Sequence, residues 1–132
     1  LVLVDVGRSL VVAGGVRIAS EVENLLSSWC SEGPGVERIL LGDGTSSADW
    51  MQRFQAMAPV QLVDETGTTL RARDRYWQLW PPQGWRNWIP RGLLIPPGEL
   101  DALAALVMLE DSLKITCHWP SSSASVRNAP AP

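Results

Sequence analysis

The sequence predicts an α/β fold: a mixed sheet with an antiparallel start, then parallel strands, with helices on both faces. Three observations predict it. Two apolar runs, residues 1–6 and 10–19, are separated by the turn-forming Gly7-Arg8-Ser9. Two further short apolar runs, 36–42 and 60–64, flank an amphipathic stretch at 48–57 and so spell β-α-β, most simply a parallel crossover. The second of these runs ends on adjacent carboxylates, Asp64-Glu65, where open α/β sheets place their chemistry.

The elements follow in order. Leu1 to Val6 alternates little and is β-branched, as a mostly buried strand would be. Leu10 to Ala19 is the returning strand of a hairpin, and Gly14-Gly15 suggests a bulge in it. Ser20 and Glu23 have the spacing of a capping box, and Val22, Leu25, Leu26 and Trp29 follow at helical intervals, which predicts a helix over 21–30. Glu32-Gly33-Pro34-Gly35 ends it. After the strand 36–42, Asp43-Gly44-Thr45-Ser46-Ser47 is a polar loop that finishes in an N-cap for the helix 48–57, whose buried face is Trp50, Met51, Phe54 and Met57. Thr68 or Thr69 can cap a helix reaching about Leu79. Pro81-Pro82-Gln83-Gly84 breaks that helix, and 81–97 is irregular and rich in Trp, Arg and Pro. Pro96 or Pro97 suits the start of a last helix, with Leu100, Leu103, Ala104 and Val107 as its core stripe out to about Leu113. The domain is expected to span 1–117, and 118–132 to be a tail, with Ser/Ala/Pro-rich residues and nothing to bury.

A chain of 132 residues is long enough to bury a core without staples. No apolar run approaches the roughly 18–20 residues of a membrane span, so a membrane partner is not expected. Cys30 and Cys117 have neither metal-ligand spacing nor further cysteine partners, which points to two reduced, buried thiols in the cytoplasm. His118 is the only histidine, which argues against a histidine-based triad or zinc site. The net charge of −3 argues against a wholly basic nucleic-acid binder. Residues 71–91 reverse that average locally, with Arg71, Arg73, Arg75, Arg86 and Arg91 against Asp74.

Two-metal phosphodiester cleavage needs several carboxylates converging on a pair of divalent ions. Hard ions such as Mg²⁺ or Mn²⁺ take oxygen ligands, so Asp and Glu suffice. Glu65 at a strand end and Asp101 in the first turn of a helix are the candidates. From spacing alone, Glu65 reads equally as a solvated carboxylate and Asp101 as a charge favoured by the helix macrodipole.

The segment Asp64-Glu65-x-x-Thr68-Thr69 after an apolar strand resembles the D-E-R-x-T-T segment of the YqgF-like family. These are pre-16S rRNA-processing nucleases, also described as Holliday-junction-resolvase-like, with an RNase H-like fold. Leu100-Asp101-Ala102-Leu103-Ala104-Ala105 is similar to the family's last-helix segment with its metal-binding Asp, and Ile39-Leu40-Leu41-Gly42 to the strand before its first crossover helix. Gly42-Asp43-Gly44-Thr45-Ser46-Ser47, Arg73-Asp74-Arg75-Tyr76-Trp77 and Pro81-Pro82 look most like the cyanobacterial branch. The likeness covers roughly residues 1–113.

The resemblance implies a Mg²⁺- or Mn²⁺-dependent endonuclease acting on structured RNA or branched DNA in rRNA processing or junction resolution. It implies Glu65 and Asp101 as catalytic metal ligands. Val4-Asp5-Val6-Gly7 imitates the family's first catalytic Asp in its D-x-G context. About fifteen residues separate Asp5 from Ser20, room for one more strand rather than two. That spacing favours a register in which 1–6 is the second strand, the catalytic Asp precedes Leu1, and the site of this chain is incomplete. Thr66 replaces the family's Arg. The alternative is a non-catalytic relative that binds nucleic acid or a partner.

Arginine contacts phosphate in bidentate fashion, and aromatic faces stack on unpaired bases. Arg71, Arg73 and Arg91 are therefore candidate nucleic-acid contacts. Trp77, Trp80, Trp85 and Trp88 are expected mainly to pack the loop onto the sheet.

Overall fold

The hairpin at the start of the chain is present in the computed structural model, which describes residues 1–32, 35–90, 93–94, 96 and 100–120. In chain order the elements are β1 (Val2–Asp5), β2 (Leu10–Gly14), α1 (Ala19–Ser31), β3 (Ile39–Gly42), α2 (Ser47–Phe54), β4 (Val60–Val63), α3 (Thr68–Leu79), a 3₁₀ turn at Gly84–Trp88, and α4 (Asp101–Leu113). The α/β class holds. The described strands join in two pairs, antiparallel β1–β2 and parallel β3–β4. The described residues form two units: 1–16 with those from Gly67 onward, and those from Arg17 to Thr66.

In the first unit the hairpin register shifts between Leu3 and Val4, with Leu3 opposite Ala13 and Val4 opposite Val11. The extra residue is Val12, 40% exposed, so the bulge is not at Gly14-Gly15 as expected. Gly14 is small for another reason: a Cβ there would stand 2.9 Å from the Trp119 ring and 3.0 Å from Val2 Cγ1.

Helices α3 and α4 pack together through the core of this unit. Ala72, Tyr76 and Trp77 come from α3, and Ala102, Leu103 and Leu106 from α4. Ala72 and Ala102 are wholly buried, and their small side chains suit a close helix–helix approach. Each buried Leu contributes about 1.5–3 kcal/mol relative to exposure. The α3 N-cap is Gly67 at φ 72°, not Thr68 or Thr69, and no side chain caps the helix. Likewise α4 begins at Asp101, beyond Pro96 and Pro97.

The chain does not leave the core at residue 117. Trp119 is buried, His118 bridges to Leu10, and Val11 N–H donates to the His118 carbonyl at 2.9 Å. His118 thus belongs to a short extended return rather than to a tail. The rest of the expected tail, 121–132, lies outside the described residues.

A buried ion pair ties this return to the helices. Arg75 Nε and Nη2 donate to Glu110 Oε2 and Oε1 at 3.1 and 2.9 Å, a bidentate fork. Arg75 Nη2 also donates to the Cys117 carbonyl at 2.7 Å, and Cys117 N–H donates to Glu110 Oε1 at 2.7 Å. Burial, and then the Glu110 charge, push the Cys117 thiol up from its ordinary value, while Arg75 opposes them. Cys117 and the half-buried Cys30 are both free thiols.

Lys114 ends α4 in the left-handed region, at φ 56°, and its N–H and that of Ile115 both turn back to the Glu110 carbonyl. A Cβ is strained there, so Lys114→Gly should raise stability by roughly 0.5–1 kcal/mol in a denaturant titration. A loss of stability would show that the Lys114 side chain matters more than its backbone.

In the second unit α1 starts two residues before the expected 21, with Ile18 as N-cap and no side-chain cap bond. Ser20 therefore lies inside the helix, and the Ser20–Glu23 capping box is not formed. Glu23 instead accepts from Arg53 Nη1 at 2.9 Å. The expected apolar stripe does face inward, with Leu26 and Trp29 buried and Val22 and Leu25 half-buried. In α2 the ring of Trp50 stacks on Phe54 at 5.1 Å, the i,i+4 spacing of one helical face. The N-cap is Ser46, one residue before the expected Ser47, without a side-chain bond.

Candidate metal centre at the ends of the parallel strands

β3 and β4 run parallel and in step, from Ile39 opposite Val60 to Gly42 opposite Val63. Their equal lengths bring the two chains to the same edge, the carboxyl ends of both strands. One more ladder bond, Asp43 N–H to the Val63 carbonyl at 3.0 Å, carries the pairing to the first polar residue. Beyond it the side chains organise the loops. Asp43 Oδ1 accepts the Glu65 N–H at 3.1 Å, and Asp64 Oδ1 accepts the Thr66 N–H at 2.8 Å in an Asx turn.

Glu65 turns its carboxylate over Gly44. A Cβ on Gly44 would stand 2.6 Å from Glu65 Oε1 and 3.3 Å from Oε2. Gly44 is not in the left-handed region, so its missing side chain matters for space rather than for backbone conformation. Asp43 and Glu65 thus meet around Gly44 at the mouth of the β-α-β unit.

Asp43 is not among the expected site residues, although it follows the apolar run 39–42 as Asp64-Glu65 follow 60–63. Asp64 has its Oδ1 committed to its own turn.

The other expected residues have these places in the fold. Asp101 is exposed in the first turn of α4, in the other unit from Glu65. Asp5 closes the hairpin turn, accepting the Arg8 N–H on Oδ1 at 3.0 Å. Arg71 Nε pairs with Asp111 Oδ2 at 2.9 Å on the surface of the α3–α4 pair, and Arg73 Nη2 donates to the Leu94 carbonyl at 3.0 Å. Arg91 lies outside the described residues.

Two carboxylates at neighbouring strand ends match a hard divalent cation in the kind of donor. Among the described residues, no group of three or more His, Cys, Asp or Glu is arranged to hold a metal. No helix among them is long and apolar enough to cross a membrane.

Comparison with protein-family models gives no match, and comparison with curated proteins and with solved structures gives no significant one.

Proposed function

We propose that this chain descends from the RNase H-like nucleases of the YqgF-like type. Its activity is then metal-dependent endonucleolysis of structured nucleic acid, either an rRNA precursor or a Holliday-junction-type DNA, in the cytoplasm. The observation that carries the reading is the in-step β3-α2-β4 unit, whose carboxyl edge brings Asp43 and Glu65 together around Gly44. Open α/β sheets put their ligands at that edge. The resemblance described above adds Mg²⁺ or Mn²⁺ as the ion.

In this reading Asp43 and Glu65 hold the ion with oxygen ligands. Asp43 has a second task, because its bond to the Glu65 N–H sets the start of the loop that carries the Glu65 carboxylate. Gly44 leaves that carboxylate its place. Asp64 holds the turn behind it through the Thr66 N–H. When bound, a hard divalent ion supplies the charge that activates water and stabilises a leaving phosphate oxygen.

A second reading is a non-catalytic relative that binds nucleic acid or a partner. A cleavage assay separates the two. With Mn²⁺, the chain should cut a hairpin-rich RNA or a four-way DNA junction, and both Glu65→Gln and Asp43→Asn should abolish cutting. Binding without cutting selects the second reading. Cutting that survives both substitutions excludes the proposed site.

A further inference from the structure

The 3₁₀ turn at Gly84–Trp88 carries the two most exposed tryptophans in the described chain, Trp85 at 71% and Trp88 at 90%. Neither packs the loop onto a sheet as the sequence suggested. A 3₁₀ helix has three residues per turn and rises about 2 Å per residue, so residues i and i+3 share a face about 6 Å apart. Trp85 and Trp88 have that spacing. The turn is not loose: Ile89 N–H donates to the Arg86 carbonyl at 3.2 Å, and the Ile89 side chain packs against the core of the unit. The Arg86 guanidinium lies 5.9 Å from the centre of the Trp85 ring, within cation–π range.

Two neighbouring tryptophans this exposed leave an apolar surface open to a contact. The local charge says what kind. Residues 81–97 contain Arg86 and Arg91 and no Asp or Glu, in a protein whose net charge is −3. A positive segment with two aromatic faces complements a polyanion that offers flat rings. Duplex bases are already stacked on one another; unpaired bases are not.

We infer that Trp85, Arg86 and Trp88 form a stacking platform for an unpaired stretch of RNA or DNA. The two indoles take successive bases and Arg86 takes the backbone phosphate. The choice of nucleic acid over another anionic surface rests on the function proposed above; the platform itself rests on the exposure and the charge.

The test is a fluorescence titration with labelled oligouridylate and oligothymidylate of about 12 nucleotides. A matched duplex and phosphatidylserine-containing vesicles are run beside them. All titrations contain EDTA, so the result does not depend on the cation site, and either proposal can fail without the other. Both tryptophans are exposed, so their replacement leaves the core untouched. Trp88→Ala should weaken single-strand binding about ten-fold, Trp85→Ala similarly, and Trp88→Phe only about two- to three-fold, because a ring remains. Arg86→Gln should flatten the salt dependence by about one phosphate contact. Equal affinity of Trp88→Ala and the wild-type chain would overturn the inference. So would preference for duplex, absence of single-strand binding, or capture by vesicles in its place.

Discussion

Replacing Glu110 with Ala should lower the unfolding free energy by about 3–5 kcal/mol, the largest single-site loss expected on the surface of the core. The reason is what the substitution strands. Glu110 and Arg75 side chains are only 10% and 13% exposed, and the carboxylate answers three donors: Arg75 Nε, Arg75 Nη2 and Cys117 N–H. Without it the guanidinium stays largely out of water, with the Cys117 carbonyl at 2.7 Å and Gln78 Oε1 at 3.4 Å as acceptors. The Cys117 N–H loses its acceptor as well, which adds the penalty of an unmet buried donor. Replacing both partners with apolar residues of similar volume, Glu110→Leu with Arg75→Met, should restore part of the loss, because no buried charge is then left alone, although the Cys117 N–H still lacks its acceptor. Urea titration of the two variants measures this directly. A Glu110→Ala loss under about 1 kcal/mol would mean that water reaches the pair and screens it.

The second large effect concerns cation binding at the strand ends. Asp43→Asn should weaken Mn²⁺ binding at least about ten-fold, because it removes a carboxylate charge and disturbs the hydrogen bond that places Glu65. Gly44→Ala should weaken it too, while stability stays nearly unchanged. The atom a new Cβ meets is the far end of the Glu65 side chain, which can swing away, and not the backbone. A metal loss without a stability loss separates a binding role for Gly44 from a folding role. Equal loss of both would assign the glycine to folding.

The parallel crossover was legible in the sequence because two apolar runs of strand length enclose a stretch with helical periodicity. That pattern depends only on local chemistry. Leu26, Trp29 and Phe54 are buried where their spacing put them. Features decided by distant partners were not legible. Gly14 reads as a bulge until Trp119 is seen against it. Arg75 reads as one of a row of surface cations until Glu110 is found 35 residues away. Trp77 and Trp88 have the same side chain, yet one is buried in the α3–α4 core and the other stands in solvent. The capping box failed because a Ser-x-x-Glu spacing is cheap, and α1 begins a residue ahead of Ser20. At the candidate site, Glu65 was visible through its strand. Asp43 needed the register that puts Gly42 beside Val63.

The most direct test of a cation site at the β3 and β4 ends is a Mn²⁺ titration of the wild-type chain beside Glu65→Gln, followed by electron paramagnetic resonance of free Mn²⁺. The wild-type chain should take up Mn²⁺ weakly, with one ion bound near saturation, and Glu65→Gln should leave the ion free across the same range. Identical titration curves for the two proteins would contradict the assignment of Glu65, and with it the site on which the nuclease reading stands.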